Sequence, residues 1–127
     1  MRAELPEHFN LASHFLNAPA ALHPERAAIV GEPREVTYRE LAALANRAGN
    51  VLTTQGVSRG DRVLIVLPDS AEFVAAFFGA AKIGAVAVPV NPFARSSDYI
   101  HYLENSQPGA AIVHSEALAE FLPASSV

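Results

Sequence analysis

From Arg62 to Pro92 the chain reads RVLIVLPDSAEFVAAFFGAAKIGAVAVPVNP, two short apolar runs separated by a longer stretch of helical character. Val63 to Leu67 and Ala85 to Val88 are continuous apolar runs rather than alternating ones, the pattern of strands in a parallel sheet covered on both faces. Between them Pro68-Asp69 makes a turn, Ser70 or Ala71 opens a helix that runs to Lys82, and Gly84 stops it. This is one βαβ unit. Its crossover is expected to be right-handed, because a right-twisted strand followed by a right-handed helix packs back onto its sheet only that way. Within the helix Phe73 and Phe77, with Val74 and Phe78 beside them, form a bulky stripe, whereas Ala75, Ala76, Gly79 and Ala80 form a small one. A helix that is apolar or small nearly all round is buried on more than one side, and the small face invites close approach by another element.

The flanking patterns complete the fold. Asn10 is suited to cap a short helix from Leu11 to Asn17, ended by Pro19. Ala27 to Val30 and Glu35 to Thr37 are strand-like and are joined by the turn residues Gly31-Glu32-Pro33-Arg34, so they predict an antiparallel hairpin. Thr37 and Glu40 then have capping-box spacing. In the helix that follows, Leu41, Leu44, Ala45, Ala48, Val51 and Leu52 recur at helical intervals, while Arg39, Glu40, Arg47, Asn50 and Thr54 take the other side. Gly56 supplies a left-handed stop and Val57 the apolar contact that often follows one. After Asn91-Pro92 a helix capped by Ser96 or Ser97 runs to about Asn105 with Tyr99, Ile100 and Leu103 inward. Ala110 to Val113 is a third parallel strand, and Glu116 to Leu122 a last helix before Pro123. The fold class is therefore α/β: an N-terminal helix and a β-hairpin, then a βαβαβα unit with a mostly parallel sheet.

Composition narrows the chemistry. The 127 residues are of single-domain length, half hydrophobic and 17% charged, which is globular composition. A net charge of -4 with nine scattered Lys and Arg argues against a nucleic-acid surface. No cysteine is present, so disulfides, thiolate chemistry and cysteine zinc sites are excluded. The first residues, MRAELPEHFNLASHFLNA, lack the apolar core of a secretory signal. Phe73 to Val90 is broken by Lys82, Gly84 and Pro89, so no membrane span is expected and a cytoplasmic location is the default.

The seven glycines spell neither GxGxxG nor GxxxxGK[ST], so no phosphate cradle is recognisable. The turn Leu67-Pro68-Asp69-Ser70 lies at a strand C-terminus, where α/β sheets bind ligands, yet Asp69 or Ser70 there also serves as a helix cap. A phosphoacceptor role for Asp69 would need an acidic pair after an earlier strand and a lysine after a later one, and neither is in place. His8, His14, His23, His101 and His114 have no metal-ligand spacing, and Asp98, His101 and Glu104 fit a solvated helix face. There is no GxSxG elbow. Arg59-Gly60-Asp61 is a turn leading into a strand. The loop Asn91-Pro92-Phe93-Ala94-Arg95 follows a strand and ends in a cation, so Arg95 could face an anionic ligand or could be an ordinary surface residue.

Taken together, HPERAAIV (His23 to Val30), the run from VTYREL to PVNP (Val36 to Pro92) and DYIHYLENSQPGAAIV (Asp98 to Val113) resemble the N-terminal portion of the adenylate-forming acyl- and aryl-CoA synthetases, the AMP-binding enzymes, closest to the benzoate-CoA ligase group. The resemblance runs nearly end to end. It implies a two-step reaction in which ATP activates a small carboxylic acid to an acyl-adenylate and the thiol of CoA then takes the acyl group, with ATP, Mg2+ and CoA as cofactors of the full-length enzyme. It implies no catalytic and no metal-binding residue in this chain, because the family's phosphate loop, ribose-binding Asp and C-terminal domain with its catalytic Lys match nothing here. The chain is then expected to be one unit, residues 1–127, of the large domain and inactive alone. Arg95 is the cation nearest the position from which a basic residue in related ligases reaches the nucleotide part of CoA. The resemblance also implies that the small face of the central helix is covered by sequence beyond Val127, so that the chain alone, with that face and the open edges of its sheet partly uncovered, would self-associate. An alternative is a free-standing interaction module derived from such an enzyme, and a third is a complete small ligand-binding domain.

Overall fold

The computed structural model describes residues 3, 4 and 6–126. A helical stretch, residues 11–22, comes first: a π-helical segment, Ser13–Asn17, leads into α1, Ala18–Leu22. Strands β1 (Ala27–Ile29) and β2 (Val36–Thr37) form the expected antiparallel hairpin. Helix α2 (Tyr38–Thr54) precedes β3 (Arg62–Val66), α3 (Ala71–Lys82), β4 (Val86–Pro89), α4 (Ser96–Ser106), β5 (Ala110–Val113) and α5 (Leu118–Ser125). The main sheet has the order β4-β3-β5 and is parallel throughout.

The continuous apolar run in β3 has a simple cause. Val63, Leu64, Ile65 and Val66 are all 0% exposed, because alternate side chains enter two different cores. Val63 and Ile65 pack with Leu52, Val57, Ala76, Ala80 and Ala85 on the face covered by α3, with α2 behind. Leu64 and Val66 pack with Tyr99, Ala117, Phe121 and Ala124 on the face covered by α4 and α5. A third cluster of Leu16, Val36, Leu41, Ala45 and Ala75 fastens the N-terminal helix and the hairpin to α2 and α3.

The small face of α3 is covered within this chain, which corrects the expectation that later sequence would be needed for it. Ala75, Ala76, Gly79 and Ala80 are buried. The covering element is α2, whose buried line includes Gly49 beside Leu41, Ala45 and Leu52. A methyl group added at Gly79 would lie 2.8 Å from the Ala45 carbonyl oxygen and 2.8 Å from the Ala48 Cβ. One added at Gly49 would lie 3.2 Å from the Gly79 carbonyl oxygen. The two helices therefore touch backbone to backbone. The bulky Phe73, Phe77 and Phe78 sit half-buried beside this seam.

Both helices end in the same way. Gly56, at φ 88°, donates its N–H to Thr53 O and Val57 to Leu52 O; Gly84, at φ 78°, donates to Ala81 O and Ala85 to Ala80 O. Each is a Schellman motif, and each brings an apolar residue after the glycine into the same cluster as its partner. The Thr37–Glu40 capping box is formed, with Glu40 N–H donating to Thr37 Oγ1 at 3.2 Å and Thr37 N–H to Glu40 Oε2 at 2.9 Å.

Three local expectations are corrected. Pro19 does not end the first helix. The chain widens to π geometry before it, Ala18 donating back to Ser13 O, and this relieves the clash of the proline ring with the preceding turn. Val51 is 60% exposed because it lies on the flank of α2 away from the line that meets α3. Pro123 lies inside α5, since Phe121 and Ala124 are buried under the helix and hold its last turn in place.

The seam yields a test. Gly79→Ala gains up to about 1 kcal/mol from helix propensity but overpacks a backbone contact, which costs roughly 1–3 kcal/mol; a lower urea midpoint is expected. Gly49→Ala, with looser contacts, should lose less. A Gly79→Ala chain as stable as the parent in urea denaturation would mean that the helices do not meet this closely.

Candidate functional site

The crossovers after β3 and β4 leave on opposite faces of the sheet, α3 to the Val63 and Ile65 side and α4 to the Leu64 and Val66 side. Where the crossovers of neighbouring strands diverge in this way, open α/β sheets bind ligands at the C-terminal strand ends. Three segments meet at this edge: Leu67–Ser70 after β3, Val90–Arg95 after β4 and His114 after β5. Val90 and His114 extend the ladder by donating to Ile65 O and Val66 O.

In the first segment, Ser70 is the cap of α3, its Oγ accepting from Phe73 N–H at 3.1 Å and donating to Pro68 O at 2.9 Å. Asp69 is exposed. Of the two alternatives for this turn, Ser70 fills the capping role.

The second segment is tied down at both ends. Asn91 Oδ1 accepts from Phe93 N–H at 2.9 Å, and the Tyr99 hydroxyl donates to Asn91 O at 3.1 Å. Tyr99 is fully buried on the sheet, and this burial pushes its phenol up from the ordinary value. At the far end Arg95 takes the position before α4 that Ser96 or Ser97 was expected to fill. Arginine has no acceptor to offer, so the orphan N–H groups find others: Arg95 N–H donates to Asp98 Oδ2 at 3.1 Å, and Ser96 N–H to Glu120 Oε2 at 2.8 Å. The Ser96 hydroxyl lies 2.8 Å from both Glu120 O and Glu120 Oε2. The hydrogen bonds from Ser96, and then the nearby Arg95 guanidinium, hold the Glu120 carboxyl below the usual glutamate range.

Between these ties two side chains project. Phe93 is 79% exposed and Arg95 is exposed. An aromatic ring and a cation two residues apart can stack on a flat base and hold an anionic group. Sequence reasoning singled out Arg95 and passed over Phe93, although an aromatic between turn residues was the available signal. It could not find Glu120, because the bond to Ser96 joins residues 24 apart.

Other candidates separate. Asp98, His101 and Glu104 are exposed on α4, and among the described residues no group of three His, Asp or Glu converges to hold a metal. Arg59-Gly60-Asp61 is a turn, with Ser58 N–H donating to Asp61 Oδ2 at 2.8 Å and Gly60 N–H to Gly84 O at 2.9 Å. An opening of about 830 Å³ lies at the other end of the sheet, between Phe9, Asn10, Arg59, Lys82 and Gly84. It is an open cleft where the N-terminal segment crosses the end of α3, Asn10 Nδ2 donating to Ala81 O.

The comparisons with known proteins converge on one group. The model of the family described as AMP-binding enzyme matches residues 16–127. The chain is 42% identical over 108 residues to a 3-hydroxybenzoate–CoA ligase of Aromatoleum sp. (strain CIB), covering 84% of this chain and 21% of that protein. It is 47% identical over 78 residues to the long-chain-fatty-acid–CoA ligase FadD13 of Mycobacterium tuberculosis, covering 60% of this chain and 16% of that protein. Among solved structures it matches a benzoate CoA ligase from Burkholderia xenovorans LB400 with a TM-score of 0.87 and 28% identity, over 94% of this chain and 24% of that one. The chain spans about a fifth of the length of the hydroxybenzoate–CoA ligases it matches. No helix of the described residues is long and apolar enough to cross a membrane.

The bonds around Glu120 have a consequence in acid. Because its folded-state carboxyl titrates below the unfolded one, it contributes stability that is fully present above the ordinary glutamate range and lost as the pH falls through the lowered value. A carbon-detected NMR titration should place the Glu120 midpoint below the ordinary glutamate range. Ser97→Ala should leave it there and Ser96→Ala should raise it, and an unshifted Glu120 in the parent chain would remove the proposed bonds.

Proposed function

The chain belongs to the family of AMP-binding enzymes, and from that premise we propose that it builds the N-terminal part of the large domain of an ATP-dependent acyl- or aryl-CoA ligase. In that reaction ATP activates a carboxylate to an acyl-adenylate with loss of pyrophosphate, and CoA then takes the acyl group. The observation that carries this reading is the family match over residues 16–127, running through every element of the parallel sheet. A benzoate CoA ligase with the same arrangement of elements supports it. Within such an enzyme these residues are scaffold. They set the C-terminal edge of three strands against the reaction site and offer one cation there, Arg95, which reaches the phosphate-bearing nucleotide of CoA. ATP and Mg2+ are held by other parts of the enzyme, and the chain alone is inactive. The acid is aromatic or aliphatic, since both kinds of ligase are among the relatives.

A segment exchange tests this. Residues 16–127 would replace the matching segment of a 3-hydroxybenzoate–CoA ligase, and the expected result is thioester formation dependent on ATP, acid and CoA. A folded exchange protein without activity would overturn the scaffold reading. The 127 residues alone should give no acid-dependent pyrophosphate exchange above the enzyme-free background. In the exchange protein Arg95→Ala should raise KM for CoA about fivefold to tenfold, the loss of one charge-assisted hydrogen bond.

The isolated chain is also proposed to self-associate, through the open edges of its sheet and not through the small face of α3. Strands β4 and β5 each leave one edge unpaired among the described residues, and Val86 on β4 is 48% exposed. Light scattering at tens of micromolar should give a mass above that of one chain; a monodisperse monomer would refute it.

A further inference from the structure

We propose that Glu120, on α5, is a positioning residue for the β4–α4 loop: it holds the start of α4 so that Arg95 and Phe93 present a fixed surface to a phosphorylated adenine nucleotide such as the 3′-phospho-ADP part of CoA. This rests on the reading above that the loop faces CoA. The geometry behind it is a substitution of one cap for another. A helix start ordinarily satisfies its first N–H groups with an acceptor at the capping position. Arg95 occupies that position and has none. Glu120 supplies the acceptor from another helix, taking Ser96 N–H at 2.8 Å while its carbonyl and carboxylate both approach the Ser96 hydroxyl. The helix that delivers it is anchored through Phe121, the next residue, whose ring lies 5.6 Å from that of Tyr99. Tyr99 in turn holds the start of the loop at Asn91 O.

One connected set of side chains, Glu120–Phe121–Tyr99, thus grips both ends of the loop, and between the grips Phe93 and Arg95 are exposed. The placement also sets charge. Arg95 is exposed at this helix start, so the cation is available to a ligand. The acidic groups of the same helix start are Asp98, bonded to Arg95 N–H, and Glu120; Glu116 lies one turn earlier beside His114.

The test has two arms. On the chain itself, Glu120→Ala should speed amide exchange at Ser96 and its neighbours about tenfold, the loss of a charge-assisted hydrogen bond, while amides of α2 and α3 keep their protection. Glu120→Gln, which can still accept through its carbonyl, should recover most of it. In the segment-exchanged ligase, Glu120→Ala should raise KM for CoA about fivefold with kcat changed less than about twofold, and Glu120→Gln should restore it in part. A fall in kcat without a change in KM, or uniform loss of protection across the chain, would reduce Glu120 to a general stabilising residue and overturn the proposal. If neither Arg95→Ala nor Glu120→Ala affects KM for CoA but the exchange at Ser96 still responds, the reading of the loop as a CoA contact fails and the nucleotide part of the proposal fails with it. Unchanged exchange in Glu120→Ala overturns the positioning itself.

Discussion

Helices α2 and α3 meet backbone to backbone at Gly49 and Gly79, and the rest of the chain is arranged so that they can. Close approach of two helices needs small residues on both, and here these are Ala45, Ala48 and Gly49 on one side and Ala75, Ala76 and Gly79 on the other. Bringing the helices this near places Leu52 and Val57 from the end of α2 in the same core as Val63 and Ile65 of β3. The paired Schellman motifs then fix where each helix turns back to the sheet, so that β3 and β4 start in register, Arg62 opposite Val86. Without the glycine contact the upstream helix would stand further off, and the hairpin and first helix, which attach through Leu41, Ala45 and Ala75, would lose their seat.

The parts of this fold that were legible in the sequence are those set by contacts within a few residues. The Thr37–Glu40 box, the glycine stops at Gly56 and Gly84 and the hairpin turn at Gly31–Arg34 are local backbone chemistry, and they appear where the residues put them. The continuous run of β3 was legible for a different reason. Burial on both faces leaves no room for a polar residue, and all four of Val63–Val66 are inaccessible. The two prolines were misread because a local rule was applied where tertiary structure decides. Pro19 is accommodated by a widened turn, and Pro123 by the burial of its neighbours Phe121 and Ala124.

What covers the small face of α3 was misassigned for a physical reason too. The apolar periodicity of α2 runs through Leu41, Leu44, Ala45, Ala48, Val51 and Leu52, and Gly49 drops out of it because glycine carries no hydropathy. Yet Gly49 is buried and Val51 is not. At a close helix crossing the contact residue is the one with no side chain, so a hydrophobic pattern understates the interface that matters most.

The same limit applies at the C-terminal edge of the sheet. Arg95 could be noticed because a cation after a strand is a local feature, but what it is fastened to is not. Its loop is gripped through Tyr99, buried on the sheet, and through Glu120, a helix away. A loop held at both ends loses little further freedom when a ligand arrives, so its exposed groups can act with less entropic cost than those of a mobile loop. Both ends of this loop are thus fastened to the core, through a buried tyrosine and a carboxylate that no motif would have paired.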